Sequence, residues 1–316
     1  MSSSLRLSKT SASTNVLPNF LLVGGAKCGT TSLHNYLAQH PEVFMPEMKE
    51  PKFFSSHFIK LPECGPGDDR IGRYMVKDFD AYQQLFRNAG GKKARGESTT
   101  DNLYYYERTI PLIKQYLGDV KVIIIIRNPA DRAFSAYLYK TRDMRETLPF
   151  EDALRQEDDR KRQNWDATWH YTSLGFYSRP VEGYLHSFRN VKIVLFDDLC
   201  NDAATVMKNL FLFLDVDDSF QPDLSHQWNV SGAPKNRIIQ RILFKPGGIR
   251  RLIHIALVKS FMSESTFWRF VDRARRFNLK KVDMLPETRA ALQNLFREDI
   301  LKTQDLIKQD LSAWLE

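Results

Sequence analysis

Apolar residues follow two alternating rhythms along the chain. Short runs at Phe20–Val23, Val120–Ile126 and Val191–Phe196 have the continuous apolar character of strands buried on both faces, and a weaker run around Lys93–Glu97 adds a fourth. The clearest is Val120–Ile126, β-branched throughout except for Lys121 and bounded by Gly118 and Pro129, which belongs at the centre of a sheet. Between the runs the period lengthens to that of a helix. Thr30, Thr31 and Ser32 open a helical pattern carrying Leu33, Tyr36 and Leu37, and Asp78 opens one carrying Tyr82, Leu85 and Phe86 that lasts to Gly90-Gly91. Further helices are predicted over Ile110–Leu117, Asp131–Tyr139, Phe150–Arg162, Tyr177–Phe188 and Ala203–Leu214. Strands alternating with helices predict an α/β fold: a doubly wound parallel sheet flanked by helices.

After Phe220 the strand signal stops. A last helix is predicted over Glu287–Lys308, near Pro286, with Ala291, Leu295 and Ile300 packing back on the sheet. The pattern divides the chain into a flexible tail over 1–17 and a single domain over 18–316, with its core at 20–220 and a basic helical C-terminal region at 229–316.

Composition narrows the function classes. The 316 residues are 42% apolar, enough for a sizeable core. The net charge of +8 is uneven, because residues 235–281 hold thirteen Lys/Arg against Glu264 and Asp272 and leave the rest slightly acidic. A basic block calls for an anionic partner: donor phosphates, a polyanionic glycan or a membrane surface. No motif that reads nucleic acid occurs. Cys28, Cys64 and Cys200 are too few and too scattered for a disulfide framework or a zinc site, and the histidines fall in no metal spacing. The start of the chain lacks an apolar segment of signal-peptide length, and no 18-residue apolar run occurs, so the expectation is a cytoplasmic protein with no metal. Segment 249–277, rich in Arg and aromatics, reads either as a surface for a polyanionic acceptor or a peripheral membrane contact, or as an amphipathic helical hairpin over the core.

Two constellations carry candidate chemistry. The first is Phe-Leu-Leu-Val-Gly-Gly-Ala-Lys-Cys-Gly-Thr-Thr-Ser-Leu at 20–33, a strand, a glycine loop and a helix start. Unpaired N–H groups at such a helix start, together with the helix dipole, cradle a phosphate, and Lys27, Thr30 and Thr31 add a point charge and hydroxyls. Nucleoside triphosphate loops place Lys directly before Ser/Thr; here Cys28 and Gly29 intervene. The second constellation is Arg127-Asn128-Pro129-Ala130-Asp131-Arg132-Ala133-Phe134-Ser135, beginning where the central strand ends, the edge at which such sheets bind ligands. Arg127 and Ser135 could grip a second phosphate, and Arg132 reads as a structural ion-pair residue.

The Lys-x-Gly-Thr order resembles the 5′-phosphosulfate loop of the sulfotransferases that use 3′-phosphoadenylyl sulfate, and over residues 20–220 the chain looks closest to their carbohydrate-modifying, heparan-type branch. The resemblance implies a P-loop-type fold and a donor bound by Gly25, Lys27, Cys28, Gly29, Thr30, Thr31 and Ser32 at the 5′ end and by Arg127 and Ser135 at the 3′-phosphate. It implies a late basic loop at 229–241 with Lys235 and Arg237 as contacts, although the branch's Lys-Gly-Arg is not present. Lys27 would stabilise the leaving phosphate. Glu50, in Glu50-Pro51-Lys52-Phe53-Phe54, matches the branch's catalytic base, with Glu97 as competitor. Tyr177 and Trp228 are candidates to line the acceptor or adenine pocket, and taken alone each reads first as an aromatic core residue. The implied partner is a carbohydrate or glycolipid hydroxyl, with an amine as the lesser choice. The rival readings are a small-molecule kinase with a phosphate loop and a non-catalytic polyanion-binding module.

Overall fold

A computed structural model gives the structure of the protein. It describes residues 16–226, 232–236, 238–240, 263, 266, 271, 273–274 and 277–316. Five parallel strands form the central sheet: β1 (Phe20–Leu22), β2 (Val43–Phe44), β3 (Ala94–Ser98), β4 (Lys121–Ile126) and β5 (Val191–Leu195), in the order β2-β3-β1-β4-β5. The chain leaves β1 for one edge, returns through β3, then crosses to β4 and β5 on the other side. The order therefore reverses at β1, and the loop after β1 opens at that switch point.

The apolar strand runs follow from burial on both faces. Leu21, Val122, Ile124 and Ile126 pack into one cluster with Tyr82, Ile113, Val181 and Tyr184. Phe20, Leu22, Ile123 and Ile125 point the other way, among Leu33, Leu37, Met207, Leu210 and Phe211. With a side-chain period of two, only an unbroken apolar run fills both layers. Polar signals set the boundaries. Asp78 caps its helix by accepting from Ala81 N–H at 2.9 Å, and Gly118 at φ 74° ends Tyr106–Leu117.

Several expectations shift. The edge strand β2 is two residues long and gave no readable pattern. Phe150–Arg162 is two helices, Phe150–Arg155 and Glu157–Arg162, broken at Gln156. Beyond Phe220 a short antiparallel pair, β6 (Ala233–Pro234) with β7 (Leu279–Lys280), does occur. Residues 1–15 of the expected tail lie outside the described residues, while Leu17 is already tied down, its carbonyl accepting from Arg95 Nε at 3.0 Å. Most of 249–277 also lies outside them, and no helix of the described residues is long and apolar enough to cross a membrane.

In the last helix, Pro286–Ile307, Ile300 packs inward as expected, whereas Ala291 and Leu295 do not. Thr288, Leu292, Phe296, Ile300 and Thr303 are buried, whereas Leu295 is half exposed. The row through Leu292, Phe296 and Ile300 is apolar while the row through Leu295 runs on to Asp299, and the inward row buries the large Phe296 ring against Phe176 and Gly175. Phe296→Ala is expected to cost about 3–5 kcal/mol in chemical denaturation, and Leu295→Ala less than about 0.5 kcal/mol. Equal costs would mean that the helix is seated in the other phase.

Candidate functional site

The loop after β1 is held by the sheet itself. Val23 N–H donates to Ile123 O and Gly25 N–H to Ile125 O, both at 2.9 Å, so the ladder runs on past the strand. A Cβ on Gly24 would sit 2.4 Å from Ile125 Cγ2, so only glycine lets the loop lie against β4. Gly29, at φ +94°, turns the chain into helix Thr30–Leu37, whose N-terminus carries no side-chain cap. Thr30, Thr31 and Ser32 line a cleft of about 730 Å³ beside it. Gly25 and Cys28, also expected to touch the donor, shape the loop from behind: both are buried, and Cys28 Sγ lies 3.7 Å from the Tyr177 hydroxyl. Tyr177 is thereby a packing residue under the loop.

Lys27 also lines the cleft, from a backbone at φ 72°, with its ammonium 4.3 Å from the centre of the Tyr139 ring. Burial, followed by the cations Arg142, Arg127 and Lys49, lowers its pKa to about 7. An anion in the cleft would relieve that crowding.

Arg127 leaves the end of β4 towards the same cleft. Its guanidinium stacks 4.4 Å from the Phe196 ring, and Nη1 donates to the Lys27 carbonyl at 3.4 Å. Asn128 then caps helix Pro129–Arg142, its Oδ1 accepting from Ala130 and Asp131 N–H at 3.0 and 3.3 Å, with Pro129 at the first helical position. The cap presents one face of the helix to the cleft: Arg132, Ser135, Ala136, Tyr139 and Lys140. Arg132 is not the ion-pair residue expected. It is buried, donates to the Tyr171 carbonyl, and among the described residues forms no ion pair and keeps an Nε without a hydrogen bond. Its signal was its place three residues before Ser135 on one helical face.

Glu50 reaches the cleft from a backbone at φ 59° and is anchored by the buried pair Phe53 and Phe54, with Phe53 stacked on Tyr82 at 4.6 Å. Its Oε1 accepts from Lys49 Nζ at 2.6 Å, and its Oε2 accepts from Thr100 N–H at 2.9 Å. Burial works to raise its pKa, but Lys49, Lys52 and the Thr100 amide outweigh burial and hold the carboxyl below its usual value. Glu97 is placed differently. It is 1% exposed inside β3, does not line the cleft, and accepts from Thr99 Oγ1 at 2.7 Å and Asn102 Nδ2 at 3.2 Å. Burial lifts its pKa to about 8, so it is mostly protonated at neutral pH.

Lys235 lies away from the cleft lining, donating to the Phe277 carbonyl at 2.8 Å and covering that ring. Arg237 and Trp228 lie outside the described residues. Sequence reasoning passed over the cleft residues Lys49, Lys52, Lys140, Arg145 and Asp166. These come from four separate segments, and only Lys49 and Lys52, which flank Glu50, carried a local signal.

Residues 17–231 match the family model described as "Sulfotransferase domain". The solved structure of a sulfotransferase from Alicyclobacillus acidocaldarius superposes with a TM-score of 0.76 and 33% identity, covering 95% of this chain and 100% of that one. The membrane-associated sulfotransferase kil1 of Dictyostelium discoideum is 31% identical over 123 residues, 38% of this chain and 22% of kil1. The human heparan sulfate glucosamine 3-O-sulfotransferase 3B1 is 25% identical over 193 residues, 60% of this chain and 43% of that protein. The matched stretches are thus less than half of either relative.

Proposed function

The chain belongs to the sulfotransferase family, and from that premise we propose that it transfers the sulfuryl group of 3′-phosphoadenylyl sulfate to a carbohydrate or glycolipid hydroxyl. The observation that carries the proposal is that two phosphate-type sites from different strand ends, Lys27–Ser32 and Arg127 with Ser135, line one cleft. A donor with a 5′-phosphosulfate and a 3′-phosphate needs such a pair. An ordinary kinase loop needs only the first.

The donor's 5′ end lies on the helix start at Thr30, where backbone N–H groups and the dipole favour an anion. Its 3′-phosphate takes Arg127, a fork-shaped donor suited to phosphate oxygens. As the acceptor oxygen bonds to sulfur and the bond from sulfur to the phosphate oxygen breaks, charge builds on the leaving phosphate, and Lys27 opposes it. Glu50, ionised at neutral pH, takes the acceptor's proton. The relatives named for carbohydrate acceptors support a sugar hydroxyl as the site of transfer.

The proposal is tested by thermal stabilisation with adenosine 3′,5′-bisphosphate in a chelating buffer, followed by transfer of labelled sulfate. Stabilisation only by ATP with magnesium would favour a kinase. Polyanion binding with no donor turnover would favour a binding module. The low Lys27 pKa sets a pH dependence. Bound phosphate favours the ammonium, so binding takes up a proton where free Lys27 is neutral, above pH 7. Bisphosphate affinity is expected to fall by up to about tenfold per pH unit between pH 7 and 9. Calorimetry at pH 8 in buffers of different ionisation enthalpy reads the uptake; none would mean that Lys27 does not meet the phosphate.

A further inference from the structure

Beyond Glu50 the cleft ends in buried charge. Lys52 Nζ pairs with Asp101 Oδ2 at 2.9 Å and with Asp166 Oδ2 at 3.5 Å. Lys140 lies 3.9 Å from Asp68 and 4.0 Å from Asp166, and Arg145 pairs with Asp68. Lys140 and all three aspartates are no more than 4% exposed. Three cations therefore meet three carboxylates. Glu63 is buried nearby, and burial, reinforced by Asp166, lifts its carboxyl to about 8, so it adds no full charge at neutral pH. By contrast Lys27, Arg127 and Arg132, on the donor side, form no ion pair among the described residues. The cleft is positive where the donor phosphates would sit and balanced where the acceptor would enter.

Resting on the sulfuryl-transfer reading, we infer that the inner end of the cleft takes a neutral, polyhydroxylated acceptor and discriminates against a uronate or an already sulfated sugar. The balanced set leaves hydrogen-bonding capacity of both kinds. Asp166 Oδ2, in a residue 1% exposed, has the Lys52 ammonium at 3.5 Å but accepts no hydrogen bond among the described residues, while Oδ1 accepts from Thr168 N–H at 3.0 Å. Among the described residues the Lys140 ammonium has only its two long ion pairs and the Trp169 ring at 4.3 Å. A hydroxyl donates and accepts, so one sugar hydroxyl satisfies Asp166 and a neighbour accepts from Lys140. An anionic group would have to be desolvated beside carboxylates with no surplus cation to receive it.

The test offers the full-length protein and labelled donor an equimolar panel: octyl glucoside, octyl galactoside, octyl mannoside, octyl glucuronide and a polymeric glucuronate. The expected result is label on a neutral glycoside at least about tenfold faster than on either uronate, a difference of about 1.4 kcal/mol. In Asp166→Asn, which leaves one cation unmatched, that preference is expected to shrink at least tenfold and KM for the neutral acceptor to rise, with bisphosphate Kd unchanged. The Kd also shows that the variant is folded. Label on the uronates as fast as on the neutral glycosides, or label on no panel member, overturns the inference. Failure of the transfer reading shows separately, as absence of bisphosphate binding in the wild type.

Discussion

Lys27→Ala is expected to lower sulfuryl transfer by about 10²–10³-fold, the loss typical when one preorganised charge at a developing oxyanion is removed. The variant should remain folded, because the residue sits in a loop whose shape is set by Gly24, Gly29 and the β4 carbonyls. Its stability carries a further signature. The native pKa is about 7 against an ordinary 10.5, so the unfolded chain binds the proton more tightly and the buried ammonium opposes folding fully below pH 7. That cost fades as pH rises from 7 to 10.5. Thermal melts should therefore show Lys27→Ala gaining on the wild type most below pH 7 and least near pH 10. Wild-type turnover in the variant would remove Lys27 from the chemistry, whatever the melts show.

Glu50→Gln is expected to lower kcat by about 10²–10⁴-fold, the usual contribution of a positioned base, while bisphosphate Kd stays within about threefold because the proton comes from the acceptor. The amide oxygen can still accept from Thr100 N–H, so the loop keeps that anchor. Loss of donor affinity instead would make Glu50 a structural partner of Lys49. Glu97→Gln is the matched control. With its carboxyl lifted to about 8 by burial, Glu97 is already mostly neutral at pH 7, and its replacement should leave turnover there almost unchanged. Its raised pKa gives stability that is fully present below the unfolded value near 4.5 and lost as pH rises through 8. In melts the wild type should therefore weaken relative to Glu97→Gln as pH rises from 4.5 to 8 and keep that deficit above 8.

The sheet was legible because its strongest signal is also its physical centre: Val122–Ile126 is fully buried and must be apolar at every position. The loop after β1 was legible because glycine and lysine at a strand end have few other uses. The 132–140 face of the helix was written at i, i+3, i+4, i+7 and i+8, but only Arg132 and Ser135 were read on it, because the period alone does not say which side meets the cleft; the Asn128 cap fixes that. The last helix was found and Ile300 correctly turned inward, but Leu295 was chosen over Phe296, although only the Phe296 row stays apolar, through Leu292 and Ile300, while the Leu295 row meets Asp299. The inner ion set was not legible at all. Its pairs join Lys52 to Asp101 and Asp166, and Lys140 and Arg145 to Asp68, across tens of residues that share no local period.

The central claim is that the Lys27 loop and Arg127 grip two ends of one nucleotide. Calorimetric titration of adenosine 3′,5′-bisphosphate and adenosine 5′-phosphate, into the wild type and Arg127→Ala, tests it most directly. The account predicts that the wild type prefers the bisphosphate by about 10²-fold, near 2.7 kcal/mol, and that Arg127→Ala erases this preference while binding the monophosphate almost unchanged. A preference that survives in Arg127→Ala would contradict it.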